Sequence, residues 1–307
     1  MKLPAALDYA GRRVLIKFHK FGSGLGHHPP NCLAALEEAL QGGAEVVEFD
    51  VRLLGDNRYV LLHDQTLERE TDAVGLVSKL DSRSIGSLRV RGGTVAPALL
   101  DDVVKRLAEH RSPLKVQVDL KEVMPLTTEA VRSLLDTLAV MRANPCLKVV
   151  VGCLADWNLR ALRRLDPTLD VGNDPAFYIH APFPGFEMPL PTRINAYGYC
   201  DDHPLGYRKV MPVAEYLRDR IDVVAGQVPG ACEFYLHRAF VARCLEDGFD
   251  VVRYLAREHG ALVDVWTLNP GDEDFETHLK VALEAGAGQV TTDSPVGVAA
   301  AVAAWAG

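Results

Sequence analysis

Glu48 and Asp50 stand two residues apart in Glu45-Val46-Val47-Glu48-Phe49-Asp50-Val51, a run whose apolar, β-branched neighbours read as a strand. On a strand, residues two apart point to the same face. Two carboxylates side by side repel, and one titrates upward unless a cation sits between them. A hard divalent ion, Mg2+ or Ca2+, resolves that conflict, and Asp119 offers a third oxygen. His19 and His63 supply a second kind of chemistry. Breaking a phosphodiester or a similar ester needs one group to take a proton and another to protonate the leaving oxygen. Imidazole titrates near neutral pH and does both. Lys20 and Lys121 are placed to neutralise an anionic substrate. Trp266 offers an aromatic face to an apolar part of it. The doublet His27-His28 beside Pro29-Pro30, and His203, read as turn residues, and the six cysteines as packing residues.

These residues must be held by something. Val14 to Phe18 reads as a strand ending at His19 and Lys20. Asn31 caps a helix carrying Leu33, Leu36 and Leu40, which Gly42-Gly43 stops. Glu45 to Val51 is the second strand, with Arg58 to Leu62 its hairpin partner or extension. A polar, irregular insertion follows at about 65–97, then a helix over Leu99 to Leu107. Strands are expected at 114–120, 147–151, 169–171, 221–225, 262–268 and 289–292. Helices are expected at 127–142, after Trp157, over a long or broken region at 231–259, at 275–285 and from Pro295. A long loop rich in Pro, Gly and aromatic residues spans about 174–210, too long for structural filler. About eight strand–helix units imply an α/β fold. The expectation is one domain over 1–307, a single (β/α)8 TIM barrel with a small insertion after the second strand. A doubly wound sheet has no Gly-rich dinucleotide turn to support it. In a barrel the active site lies at the C-terminal ends of the strands. His19, Lys20, Glu48, Asp50, His63, Asp119, Lys121, Trp266, Asn269 and Asp293 all fall there.

The composition agrees with a folded, non-fibrous protein. In 307 residues, 48% are hydrophobic and 24% charged, so a disordered or collagen-like chain is excluded. A net charge of −8 argues against nucleic acid as a partner. It leaves an anionic small molecule open, because local charge decides that. No stretch approaches the roughly 18 apolar residues of a membrane span. Six cysteines without a dense framework, and no apolar leader, point to a cytoplasmic protein.

The motifs, in this order, resemble the glycerophosphodiester phosphodiesterase family. FHKFGSG (18–24) looks like its strand-end His-Arg-Gly, and PPNCLAAL (29–36) like its Pro-Glu-Asn-Thr-Leu helix start. VEFDV (47–51) is similar to its Glu-x-Asp-Val. LLHDQTLERETDAVGLV (61–77) follows its His-Asp-x-Thr-Leu-x-Arg stretch. VQVDLK (116–121) sits where the family has Glu-Ile-Lys, and VDVWTLN (263–269) and AGAGQVTTDSP (285–295) resemble its last two strands. The likeness is weakest across 170–260. It implies that Glu48, Asp50 and Asp119 bind a divalent cation, that His19 and His63 are the acid–base pair, and that Lys121 helps hold the phosphate. Glycerophosphodiesters would then yield glycerol 3-phosphate and an alcohol.

Lys20, Phe21, Pro30 and Asp119 depart from the pattern, and Lys20 loses the two-pronged grip of Arg. An Asp-Leu-Lys at 119–121 also resembles the sphingomyelinase D type of phospholipase. A lipid phosphodiesterase acting on lysophospholipids therefore stays open, as does a barrel that binds a phosphorylated ligand without turnover.

Overall fold

The structure, a computed structural model, describes residues 2–183 and 192–305. The chain begins with β1 (Ala6–Tyr9), β2 (Arg12–Phe18), α1 (Leu33–Gly42), β3 (Val46–Leu53), β4 (Tyr59–Val60) and α2 (Leu100–Ala108). It continues through β5 (Leu114–Leu120), α3 (Thr128–Arg142), β6 (Leu147–Cys153), α4 (Asp156–Leu165) and β7 (Asp170–Asn173). Three two-residue strands follow, β8 (Ile179–His180), β9 (Arg193–Ile194) and β10 (Cys200–Asp201), and then α5 (Val213–Gly226). The last third holds β11 (Glu233–His237), α6 (Arg238–Glu246), α7 (Val251–Glu258), β12 (Leu262–Trp266), α8 (Phe275–Ala285), β13 (Gln289–Thr292) and α9 (Pro295–Ala304).

Eight strands, β2, β3, β5, β6, β7, β11, β12 and β13, run parallel in that order around a ring. Val290 of β13 pairs with Ile16 of β2, and Phe18 of β2 with Val47 of β3, so the ring closes. This is the (β/α)8 barrel expected from the alternation. β1 pairs antiparallel with β2, and β4 with β3, as additions to it.

The outer helices follow from their apolar stripes. In α2, Leu100, Val103, Val104 and Leu107 are buried, one face at helical spacing. Its first turn carries Asp101 and Asp102 and its last Lys105 and Arg106, matching the helix dipole. α1 stops where Gly43 takes φ +85, a conformation cheap only without a Cβ. Inside the ring the tyrosine of β11 fills the space that glycines leave. A Cβ on Gly172 would lie 2.1 Å from Tyr235 Oη, and one on Gly152 2.8 Å from Tyr235 Cε2. Lys17 is buried there too, paired with Asp264 and Gln117, with its Nζ 4.5 Å from the Tyr235 ring centroid. Asp264 in turn accepts from Thr291 Oγ1 at 2.7 Å, so the buried charges are paired.

Three expectations change. Ile221 to Ala225 is not a strand but the end of α5, where Tyr216, Leu217, Arg220, Ile221 and Val224 are buried at helical spacing. The sixth barrel strand is instead β11, inside the region expected to be helical; the rest of that region is α6 and α7. The N-cap of α1 is Cys32, whose sulfur accepts from the Ala35 N–H, and not Asn31. Of the expected loop at 174–210, residues 184–191 lie outside the described residues. The described part carries the small antiparallel sheet β8-β10-β9. Residues 65–97 hold 3-10 turns at Val77–Lys79 and Ile85–Ser87. A second small core of Leu54, Val60, Leu62, Leu67, Val77 and Ile85 lies under them. Among the described residues no helix is long and apolar enough to cross a membrane.

Candidate active site

The polar residues at the strand ends meet around one cavity of about 320 Å3. β2 leads straight into a 3-10 turn, His19–Phe21, in which Lys20 (φ 52) and Phe21 (φ 64) take left-handed backbone. That sharp bend sets the Lys20 N–H on Glu48 Oε2 at 2.8 Å. The following loop lies against the end of β13. Gly24, at φ +78, passes so close that a Cβ would come within 2.9 Å of Ser294 Cα.

Glu48 and Asp50 share one face of β3, as the spacing requires, and β5 runs beside them with Asp50 opposite Asp119. Carboxylate oxygens of Glu48, Asp50 and Asp119 all lie within 4.8 Å of one another. Lysines balance part of this charge. Lys121 Nζ is 2.6 Å from Asp119 Oδ2 and 3.1 Å from Asp50 Oδ1, and Lys20 Nζ is 3.5 Å from Asp50 Oδ2. Burial pushes the Glu48 carboxyl up to about 7, and the adjacent Asp50 charge adds to the rise. Burial works the same way on Asp50, but Lys121 and Lys20 outweigh it and hold that carboxyl well below the usual range. Glu48 Oε1 is enclosed and accepts no hydrogen bond, and Asp50 Oδ1 is enclosed with the Lys121 ammonium beside it. An all-oxygen donor set with an enclosed, unsatisfied Glu48 oxygen fits a hard divalent cation.

The two histidines line the same cavity but differ in their surroundings. His19 Nδ1 lies 2.7 Å from Asp293 Oδ1, and Asn269 Nδ2 donates to the other Asp293 oxygen at 2.6 Å. Burial lowers the His19 pKa, but the Asp293 hydrogen bond and the Glu48 charge outweigh it, leaving it raised. His63 Nδ1 lies 2.8 Å from Asp64 Oδ1 and 3.2 Å from the Arg69 guanidinium. Glu70 Oε2 accepts both the His63 and Asp64 backbone N–H groups, and Arg52 Nε donates to the His63 carbonyl. Burial, then the Lys121 charge, lower His63 to about 4. In both rings the described carboxylate contact is made by Nδ1.

Of the candidates, His19, Lys20, Glu48, His63, Asp119, Lys121 and Trp266 line the cavity, and Asp50 lies beneath them, fully buried. The Trp266 ring meets His237 edge-on at 4.9 Å. His27 is not part of the cavity and pairs with Glu38 Oε1 at 2.5 Å. His203 likewise stays in its turn, its Nδ1 accepting from the Leu205 N–H.

Residues 23–173 match the family model described as the Glycerophosphoryl diester phosphodiesterase family. This segment, just under half of the chain, is similar to that family. A glycerophosphodiester phosphodiesterase of Bacillus altitudinis is 29% identical over 188 residues, which are 58% of this chain and 71% of that protein. One from Caldanaerobacter subterraneus subsp. tengcongensis is 26% identical over 151 residues, 47% of this chain and 60% of that one. For that second relative and others like it, the match spans about three fifths of the relative's length. Among solved structures, a phosphodiesterase of Oleispira antarctica in complex with its product sn-glycerol-3-phosphate superposes with a TM-score of 0.60 at 20% identity, covering 94% of this chain and 96% of that one. A glycerophosphodiester phosphodiesterase of Agrobacterium tumefaciens gives 0.57 at 18%, covering 95% and 99%. At such identities these two show the fold.

The segment that matches the glycerophosphoryl diester phosphodiesterase family contains Glu48, Asp50, His63, Asp119 and Lys121. His19 and Lys20 precede it, and Trp266 and Asp293 follow it. Sequence reasoning passed over Asn31, which holds Asp50 through Nδ2 at 2.8 Å and accepts the Asp50 N–H at 3.2 Å. It also passed over Arg69, Glu70 and Arg52, which fix the His63 segment, and over Asp174 on the cavity wall. Asp293 and Asn269 were visible as strand-end residues, but nothing in the sequence joined them to His19.

Proposed function

We propose that this chain hydrolyses glycerophosphodiesters to glycerol 3-phosphate and an alcohol. The observation that carries the reading is the meeting of three carboxylates, two lysines and two differently tuned histidines around one cavity. Glu48, Asp50 and Asp119 would hold a divalent cation, Mg2+ or Ca2+. Such a cation supplies Lewis-acid polarisation of a phosphoryl oxygen and lowers the pKa of a bound hydroxyl. Lys20 and Lys121 face the same cavity and draw the phosphodiester's negative charge to it.

His63, kept neutral at ordinary pH, takes the proton of the attacking hydroxyl, from water or from a neighbouring substrate hydroxyl. His19, with its raised pKa and its Nδ1 held by Asp293, gives its proton to the departing alkoxide. One phosphorus–oxygen bond forms, one breaks, and the proton lost at one oxygen is returned at the other. Trp266 lines the wall where an organic group of the diester would lie. The substrate is a small molecule, not nucleic acid. All six cysteines are free, in keeping with a cytoplasmic setting.

The test is release of glycerol 3-phosphate from a panel of glycerophosphodiesters with Mg2+, Ca2+ or a chelator. Wild type, His19→Ala and His63→Ala are compared. Turnover that survives the chelator and both substitutions would sink the reading.

A further inference from the structure

The mouth of the barrel is divided. β13, β2, β3 and β5, with the His63 loop, carry the histidines, the carboxylate cluster and the lysines. The opposite wall comes from β6, β7, β11 and β12, and contributes Leu154, Asp174, Tyr235, Trp266 and Thr267 to the cavity. Asp174 is the one charged side chain on that wall among the described residues. It is 8% exposed, and the described ion pairs include none to it. Its Oδ1 accepts the Ala176 N–H at 2.9 Å, closing a tight turn. The nearby cations are engaged elsewhere: Lys121 with Asp119 and Asp50, Lys17 with Asp264 and Gln117.

A buried carboxylate with one backbone hydrogen bond and no ion-pair partner of its own is costly, and burial pushes the Asp174 carboxyl up to about 7 although the Lys121 and Lys17 charges act against the rise. The turn at Ala176 does not explain the charge, since an asparagine would cap it equally well. A cation brought by the ligand would offset the cost. The same wall holds the Trp266 indole, the aromatic ring best suited to an ammonium group. An organic cation bound there would be joined to a phosphate bound across the cavity.

We propose that Asp174 is a specificity residue for the alcohol half of the diester, selecting a cationic amino alcohol of the ethanolamine or choline kind over neutral polyols. This rests on the phosphodiesterase reading and names its substrate class. Asp174 touches the substrate's cation and takes no part in the proton transfers.

The experiment compares wild type with Asp174→Asn, which keeps the acceptor for Ala176 and removes the charge. Glycerophosphocholine and glycerophosphoethanolamine are set against glycerophosphoglycerol and glycerophosphoinositol with Mg2+ present. Wild type is expected to favour the cationic pair in kcat/KM by at least about tenfold, a difference of about 1.4 kcal/mol. The substitution should abolish that preference, raising KM of the cationic pair far more than that of the neutral pair.

A binding arm separates this proposal from the proposed activity. Phosphocholine and inorganic phosphate are titrated calorimetrically into both proteins. Tighter phosphocholine binding that is lost in Asp174→Asn supports the role even if no diester is turned over. Equal affinity for the two ligands in wild type, or an equal loss on cationic and neutral substrates, would overturn it.

Discussion

Asn31 grips Asp50 at two points, donating from Nδ2 to the carboxylate and accepting the Asp50 backbone N–H. It does so from a left-handed backbone, φ 56, which asparagine tolerates better than most residues. Asn31→Ala should destabilise the fold by about 1–3 kcal/mol, because it leaves the buried Asp50 N–H unpaired. It should also weaken divalent-ion binding by about 10–100-fold, as the loss of a group orienting a metal ligand does. Asn31→Gly relieves the backbone strain but not the lost bonds. Thermal melts and Mg2+ titration of both variants check this, and full ion affinity in Asn31→Gly would contradict it.

The tuning of the histidines fixes the shape of the pH profile. If His63 is the base, as proposed, it must be neutral to accept a proton, so kcat/KM should rise as pH climbs through its depressed value, about 4. If His19 is the acid, as proposed, it must be protonated to donate, so the rate should fall as pH passes its value, raised above that of free imidazole. A rate measured from pH 3 to 10 should give a broad bell whose acid limb is absent in His63→Ala.

In the proposed mechanism Asp293, 2.7 Å from His19 Nδ1, would act through that histidine as a positioning residue. Asp293→Asn should lower kcat by about 10²-fold or more, the scale of a misplaced proton donor, with little change in KM. It also removes a charge that raises the His19 pKa, so the alkaline limb of the bell should move to lower pH. A merely structural role would leave that limb in place.

Removing the cation should silence the enzyme, and Mg2+ or Ca2+ should restore it. Glu48→Gln removes the charge from the carboxylate whose Oε1 has no hydrogen-bond partner, and should weaken ion binding by at least about tenfold, or 1.4 kcal/mol. Calorimetric titration of the ion into wild type and variant checks this without an activity assay. Undiminished affinity would remove Glu48 from the ligand set.

Gly172→Ala tests the packing beneath the cavity. Its Cβ would overlap Tyr235 Oη, which is buried and hemmed in by Lys17 and Gly152. Overpacking of this kind costs about 1–3 kcal/mol. A lowered melting temperature is expected, and an unchanged one would mean that Tyr235 moves aside freely.

The barrel was legible because most strands are short apolar runs between helices with clear apolar stripes. β11 was not, because Glu233-Phe234-Tyr235-Leu236-His237 runs directly into α6 at Arg238 with no turn residue between them. Val223-Val224 looked like a strand because local β preference was read there without the buried positions Tyr216, Leu217 and Arg220 upstream. At the site, Glu48 and Asp50 could be read together because a strand's alternation is a local rule. The link from His19 to Asp293 could not, because it depends on which strands become neighbours when the ring closes. Asp174 was hidden for a similar reason: only the ring places β7 across the mouth from β2.

The seam between β13 and β2 has a consequence for the chain as it is made. His19 leaves the ribosome 274 residues before Asp293. The carboxylates and lysines of β3 and β5 can assemble while synthesis continues, but His19, the proposed proton donor, does not meet Asp293 until β13 zips onto β2. Catalytic competence is thus a late event in the life of the nascent polypeptide, and its onset would report completion of the ring.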